Sequence, residues 1–180
     1  MRTIISQEQL QEGVQRLANE IREYYQGKSL TMIGVLADSL IFLGDLVRSV
    51  GLPHRLGIVP AHRSASQDLL PGPLVVVPEQ LRFEVEHRDV LLVDELLDSG
   101  DTLNELIPQI DDLGPKSVRV AVLLRKQGRQ KPGTIEPAFV GFDIPEGYAV
   151  GYGMSYNDRF RELPYIAQLD PEDFIQDAGT

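Results

Sequence analysis

Nearly continuous apolar runs of strand length are the feature that most restricts the fold of this chain. Such runs are apolar on both faces, which is typical of parallel strands covered by helices on both sides. Between them, apolar residues recur at helical spacing. The strand runs are Leu30–Leu36, Val90–Val93 and Val118–Leu124, and the helical segments are Leu10–Tyr24, Leu40–Val50 and Thr102–Leu113. This alternation predicts an α/β fold with a central, mostly parallel sheet flanked by helices.

The remaining segments complete one predicted domain over residues 1–180, a length that suits a single core. Further strands are predicted at Arg55–Val59 and Leu74–Val77, and Pro108 is expected to kink or shorten its helix. The stretch His62–Pro73 lacks periodicity, which predicts a long mobile loop of the kind that often forms a lid. From about Gly133 the chain breaks into short apolar pieces, which predicts a small short-stranded C-terminal subdomain over about residues 133–180.

Composition narrows the possible partners. Seventeen basic and 27 acidic residues give a formal net charge of −10, which would repel a phosphate backbone, so we expect no nucleic-acid partner. There is no cysteine, and the three histidines show no metal-ligand spacing. The N-terminal stretch lacks the apolar core of a secretion signal, and no apolar run approaches the ~20 residues of a membrane span. We therefore expect a cytoplasmic protein with no membrane partner.

One segment, Val90–Thr102, concentrates the candidate chemistry. An apolar strand delivers the adjacent acids Asp94 and Glu95, followed after two apolar residues by Asp98. The sequence Ser-Gly-Asp-Thr then opens a helix, whose first N–H groups and dipole favour a phosphate. Ligands of open α/β sheets bind beyond the carboxyl ends of strands. Taken alone, the Ser-Gly-Asp-Thr turn is better explained as an acidic strand-to-helix turn in which Ser or Asp is an ordinary N-cap.

The whole thirteen-residue pattern resembles the phosphoribosyl-pyrophosphate motif of the type I phosphoribosyltransferases. Two further segments, Phe139–Pro145 and Val150–Pro164, are similar to the purine-binding tail of the hypoxanthine-guanine phosphoribosyltransferases. Val35-Leu36 ahead of Phe42–Leu46 resembles the pyrophosphate loop and following helix of that family. The resemblance covers nearly the whole chain from Thr31 to Leu169 and implies a type I phosphoribosyltransferase-like fold.

The resemblance assigns roles on the sugar and phosphate side. Asp94 and Glu95 would hold the ribose hydroxyls and Mg²⁺. Arg161 would reach the pyrophosphate, although it could instead pair with Glu162 or Asp158. The pyrophosphate loop would include Leu36 and Ala37, and the 5′-phosphate would be cradled by Ser99, Gly100, Asp101 and Thr102.

On the base side, the resemblance makes Asp98 the proton acceptor for purine N7. Lys126 would donate to purine O6, Tyr148 would stack on the base, and the carbonyl of Ala149 would face the base edge. Read without the resemblance, Lys126 belongs to a basic run typical of a solvated loop. Tyr148 alone would be an ordinary core or interface aromatic.

The implied activity is purine salvage: hypoxanthine or guanine reacts with phosphoribosyl pyrophosphate to give IMP or GMP plus pyrophosphate. The family suggests a homodimer or homotetramer. Three features depart from the family pattern. In the pyrophosphate loop, Ala37 and Asp38 replace a basic residue and a glycine; the lid segment lacks tyrosine; and Ser155 replaces an aspartate. The sequence therefore leaves a second hypothesis open, a nucleotide-binding or regulatory protein with weak or lost transferase activity. We expect Asp38 to weaken binding of phosphoribosyl pyrophosphate but not of the nucleoside monophosphate.

Overall fold

The computed structural model of this chain describes residues 1–60 and 77–177. The predicted loop His62–Pro73 lies outside the described residues, as do the first three residues of the strand predicted at Leu74–Val77.

Five parallel strands of the described residues form the central sheet, in the order β3-β2-β4-β5-β6. Consecutive parallel strands need crossover connections, which is why helices cover both faces. The three continuous apolar runs predicted from the sequence occupy the three inner strands, where both faces are covered. The bounds are β2 Leu30–Leu36, β3 His54–Pro60, β4 Asp89–Leu97, β5 Ser117–Lys126 and β6 Phe139–Ile144.

The helices pack on the two faces of the central sheet. One apolar core lies under α1 and α2, and the other lies under α3 and α4. Helix α1 begins with a capping box, in which the side chains of Ser6 and Gln9 each accept from the backbone N–H of the other. Helix α4 continues past Pro108, so the proline does not shorten it. The bounds are α1 Gln7–Tyr25, α2 Leu40–Val50, α3 Arg82–Val85 and α4 Asp101–Asp111, with 3₁₀ turns at Glu79–Leu81 and Pro171–Asp177.

A small antiparallel sheet, in the order β1-β8-β7, lies beside the central one. Its strands are β1 Arg2–Ile5, β7 Ala149–Val150 and β8 Ile166–Gln168. This arrangement differs from the predicted division at about residue 133, because β6 belongs to the central sheet and the N-terminal β1 belongs to the small one. Strand β1 has only four residues, which is too short for an alternating apolar pattern to predict it from the sequence.

Of the helices in the described ranges, none combines the length and the apolar character needed to cross a membrane.

Candidate active site

Strand β4 carries the adjacent acids into the site. The sequence predicted that this strand ends at Val93, but it continues to Leu97, so Asp94 and Glu95 are strand residues. Their relative exposures are 3% and 4%, and the Glu95 N–H donates to Asp94 Oδ1 at 3.0 Å. Both residues nevertheless line the larger of the two cavities described below. Two adjacent carboxylates on a cavity wall are suited to a cation or to hydroxyl donors of a ligand.

The turn Ser99–Thr102 after β4, called the phosphate turn below, contains the residues of the predicted phosphate cradle. Gly100 precedes α4 with φ +88°, a left-handed conformation that favours glycine. Space demands glycine too, because a Cβ there would lie 2.4 Å from Thr134 Cγ2. Gly100 at the N-cap has no side chain that could accept from the first turn of α4, and the Asp101 N–H makes only a long hydrogen bond of 3.4 Å to Ser99 Oγ. The turn therefore keeps the donors that a phosphate needs.

Asp98 meets Lys126 because β4 and β5 run side by side. The parallel register pairs Leu97 with Arg125, which brings the next residue of each strand together. Lys126 Nζ donates to Asp98 Oδ2 at 2.6 Å, and Arg129 Nε donates to Asp98 Oδ1 at 3.1 Å. Burial of Asp98 opposes its ionisation, but these two hydrogen bonds outweigh burial and hold the pKa of Asp98 below its usual range.

The segment after β5 also supports the phosphate turn. The Lys131 N–H donates to the Ser99 carbonyl at 2.9 Å, and Lys131 Nζ donates to Asp101 Oδ1 at 2.6 Å. Ser99 Oγ donates to Asp101 Oδ2 at 2.9 Å. Hydrogen bonds from Lys131 and Ser99 lower the pKa of Asp101. Both acids that follow β4 in this turn therefore carry a basic partner, although the chain as a whole is strongly acidic.

Two cavities join at the carboxyl edge of the sheet, with Asp94 and Thr102 in the lining of both. The smaller has a volume of about 310 Å³ and follows the phosphate turn from Asp98 to Leu103. The larger, of about 680 Å³, contains the predicted pyrophosphate loop, the acid pair and part of the C-terminal tail. Its lining comprises Val35, Leu36, Ala37, Asp38, Asp94, Glu95, Thr102, Tyr148, Ser155, Tyr156, Asn157, Asp158 and Arg161.

Arg161 lines the larger cavity, but its ion pair is with neither Glu162 nor Asp158, the partners that the sequence suggested. Its Nη1 donates to Asp38 Oδ1 and to the Gly153 carbonyl. The alternative of a pair with Glu162 or Asp158 is therefore wrong for the ion pairs of the described residues. Asp38, 123 residues earlier in the chain, is its carboxylate partner.

Tyr148 lines the larger cavity, and 44% of its surface is exposed. Its ring meets Tyr156 edge-on at a centroid distance of 5.2 Å and Phe174 at 6.2 Å, while those two rings lie 5.2 Å apart. Such mutually perpendicular contacts restrain a ring while leaving a face open for stacking. Ala149 is buried beside Tyr148 in β7 and pairs with Gln168 of β8.

The acid pair suits a magnesium ion that substrate helps to hold. Mg²⁺ in phosphate-transfer sites is bound by one or two carboxylates together with substrate oxygens and water. Asp94 and Glu95 offer two such carboxylates at the cavity wall. The described residues contain no group of three or more His, Cys, Asp or Glu side chains that would form a complete metal site by itself.

Several residues that contact the site were not predicted from the sequence. Arg129, Lys131 and Thr134 follow β5 in a run typical of a solvated loop, and only the fold returns them to the turn after β4. Phe174 carried no motif at all. The parallel register of β4 and β5 was the one signal that could have predicted contacts between the two segments.

The match to known families agrees with this geometry. A model of the phosphoribosyl transferase domain matches residues 5–157. A parallel sheet with its ligand-binding turns at the carboxyl edge, together with this match, defines the class as a phosphoribosyltransferase.

Similar proteins narrow the class. A hypoxanthine-guanine phosphoribosyltransferase of Mycobacterium avium is 35% identical over 179 residues, covering 96% of this chain and 87% of the relative. The solved hypoxanthine phosphoribosyltransferase of Staphylococcus aureus in a tetragonal crystal superposes with a TM-score of 0.85 at 27% identity, covering 97% of this chain and 94% of the other. That of Trypanosoma cruzi in complex with the product IMP has a TM-score of 0.83 at 26% identity, covering 98% and 94%. This chain belongs to the hypoxanthine-guanine phosphoribosyltransferase family, which confirms the fold and the family that the sequence predicted.

Proposed function

We propose that this enzyme transfers the 5-phosphoribosyl group from phosphoribosyl pyrophosphate to hypoxanthine or guanine, giving IMP or GMP and pyrophosphate. The observation that carries the proposal is the Asp98–Lys126 pair, which adjacent parallel strands bring to the rim of the phosphate turn. A carboxylate acceptor beside an ammonium donor matches the N7–H and O6 of a 6-oxopurine. Adenine has an amino group at position 6, so the ammonium would meet a donor there.

The reaction requires one bond to form and one to break at the anomeric carbon. The purine N9 lone pair forms the bond to C1′, while the C1′–O bond breaks and its electron pair leaves with pyrophosphate. The N7 proton of the purine passes to the Asp98 carboxylate as the new bond forms. Positive charge develops on the ribose ring, and the buried carboxylates of Asp94 and Glu95 lie on the wall beside it.

The lowered pKa of Asp98 fits a base that must wait for its substrate. Asp98 is ionised at neutral pH while Lys126 and Arg129 donate to it. When purine O6 takes a donor from Lys126, Asp98 is held less tightly, and its affinity for a proton rises. Proton transfer is most efficient when the two pKa values are matched, so binding of the correct base prepares the acceptor.

The phosphate ends of the substrate would occupy the two cavities. The proposed 5′-phosphate site is the turn Ser99–Thr102, where hydroxyls and the first N–H groups of α4 converge. The proposed pyrophosphate site is the larger cavity, where Arg161 and the loop Leu36–Asp38 meet. Asp94 and Glu95 would hold Mg²⁺ together with substrate oxygens, and the bound ion would neutralise charge on the leaving pyrophosphate.

Tyr148 completes the proposed base site by stacking, with Ala149 next to it at the base edge. We retain a cytoplasmic location and assembly as a homodimer or homotetramer as parts of the proposal. The relatives named above are transferases, which favours the enzyme over a nucleotide-binding protein that has lost catalysis.

The direct test is a steady-state assay of pyrophosphate release with hypoxanthine, guanine and adenine as acceptors. We expect release with the two 6-oxopurines and rejection of adenine. A protein that binds GMP by calorimetry but releases no pyrophosphate with any purine would instead be the nucleotide-binding module. Efficient use of adenine would contradict the role of Lys126.

A further inference from the structure

The carboxylate of Asp38 is paired with Arg161, which is the cation of the proposed pyrophosphate site. Arg161 Nη1 donates to Asp38 Oδ1, and the two side chains are 42% and 33% exposed. Both side chains line the larger cavity, which is the proposed pyrophosphate site. An arriving diphosphate would therefore find its guanidinium already engaged by an internal anion.

The backbone around this pair holds it in place. The Gly153 N–H donates to the Arg161 carbonyl at 3.0 Å, and the Gly153 carbonyl in turn accepts from Arg161 Nη1. A Cβ on Gly153 would lie 2.5 Å from the Asp38 carbonyl oxygen, which shows how closely the loop and the tail approach. Tyr152 also donates to Asp45 on α2. Asp38 is thus presented to Arg161 by packed backbone on both sides.

The charges around the larger cavity are unbalanced. Its described lining contains four carboxylates and a single basic side chain, Arg161. A pyrophosphate group that enters this space would therefore compete with Asp38 for the same guanidinium and would also be repelled by the carboxylate that it displaces. The four carboxylates are those of Asp38, Asp94, Glu95 and Asp158.

We propose that Asp38 determines ligand specificity at this site by competing with the substrate diphosphate for Arg161. The inference rests on the proposed function, since it needs pyrophosphate to bind beside Arg161. It follows that Asp38 weakens binding of phosphoribosyl pyrophosphate and of free pyrophosphate, while the nucleoside monophosphate, which has no group at this place, is unaffected. Re-formation of the Asp38–Arg161 pair also helps pyrophosphate to leave after the C1′–O bond has broken.

The test is a double-mutant cycle on Asp38→Asn and Arg161→Gln. Four proteins are titrated by calorimetry with magnesium pyrophosphate and, separately, with GMP. In the Arg161 background, we expect Asp38→Asn to tighten pyrophosphate binding by about ten- to a hundredfold, the range that a hydrogen bond between charged groups contributes, because pyrophosphate no longer has to break the Asp38–Arg161 bond. With Gln at position 161, most of that gain disappears, because there is no cation left to release. In steady state, KM for phosphoribosyl pyrophosphate falls while KM for hypoxanthine is unchanged.

Glu20→Gln is the matched control, since it removes one negative charge from an exposed ion pair with Arg16 on α1. It should leave pyrophosphate affinity unchanged. Unaltered pyrophosphate affinity in Asp38→Asn would overturn the proposal, and so would an undiminished gain in the Arg161→Gln background, which would indicate simple repulsion. GMP binding is the separate measure of the proposed function. If none of the four proteins binds GMP, both proposals fail, whereas retained GMP binding without the Asp38 effect rejects only the role of Asp38.

Discussion

The two turns that we propose as anion-binding sites follow parallel strands of one sheet, yet their acidic residues are paired in opposite ways. After β4, Asp98 and Asp101 are held by Lys126 at the end of β5 and by Lys131 beyond it, and the proposed phosphate donors are backbone N–H groups and hydroxyls. After β2, Asp38 is held by Arg161, the same cation that the diphosphate would need. An acidic residue beside an anion site is therefore expected to weaken anion binding when it pairs with a cation that the anion itself needs, and to have little effect when it pairs with another cation.

The largest expected effect is at Asp98, the proposed proton acceptor in the turn after β4. Asp98→Asn keeps the shape of the side chain and removes the proton acceptor, so turnover should fall by ~10²–10⁴-fold. GMP affinity should survive, because the phosphate turn is unchanged. Asp143→Asn is a matched control, since Asp143 also pairs with an arginine, Arg125, but lines neither cavity. Near-normal turnover in Asp98→Asn would remove the assignment of the base.

A smaller effect is expected at Lys126. Lys126→Met removes a charge-assisted hydrogen bond to purine O6, worth about 1.5–3 kcal/mol. The ratio kcat/KM for hypoxanthine and guanine should therefore fall roughly ten- to a hundredfold, with no matching loss for adenine. Measured base preference decides this, because an unchanged preference would place O6 elsewhere.

The same variant should change the titration of Asp98. In the unaltered protein the pKa of Asp98 lies below its usual range, so its ionised form and the stability that it contributes are lost only as pH falls through that low value. Without Lys126 the effect of burial gains weight, and the pKa of Asp98 should rise. The acidic limb of the rate profile would then move to higher pH, and NMR titration of the carboxyl carbon would show the shift directly.

Two glycines allow the turns to be compared: Gly100 lies in the turn after β4, and Gly153 packs against Asp38 in the turn after β2. Gly100 and Gly153 have φ of +88° and +101°, where a side chain costs about 1–2 kcal/mol. Gly100→Ala should weaken GMP by about tenfold and spare pyrophosphate, whereas Gly153→Ala should do the reverse. Thr134→Ala should partly rescue Gly100→Ala, because the obstructing atoms there are those of the Thr134 side chain. No side-chain change can rescue Gly153→Ala, because its obstacle is the Asp38 carbonyl. Equal effects of both variants on both ligands would mean that the turns are not separate sites.

The smallest expected effect concerns Phe174, which lies outside both turns. Its ring contributes an edge contact to Tyr148, and such pairs are worth about 0.5–1.5 kcal/mol. Phe174→Ala should raise KM for hypoxanthine roughly two- to tenfold and leave pyrophosphate affinity unchanged. Phe83→Ala, at an 80% exposed ring away from both cavities, is the control. An unchanged KM for hypoxanthine would show that Tyr148 needs no support.

How much the sequence could predict depended on how far apart the interacting residues lie. Apolar runs predicted the inner strands, and the motif placed Asp94 to Thr102 together because they are consecutive. The end of β4 was placed too early because the charged Asp94 and Glu95 look like a strand terminus, although β5 continues to pair with that segment. The Asp38–Arg161 pair joins residues 123 positions apart with no periodic signal between them. Only the packed fold could show that the departure from the family at Asp38 has a partner.

The small sheet has a consequence for the order in which the site is completed. Strand β1 pairs with β8, and Arg2 contacts Gln168 across 166 positions of sequence. A ribosome adding about 5–20 residues per second needs roughly ten to thirty seconds to make that stretch. During this time β1 has no strand to pair with, while the phosphate turn after β4 already has its neighbours β2 and β5. We therefore expect the emerging polypeptide to form its proposed phosphate site before its proposed purine site, with the wall that carries Tyr148 assembled last.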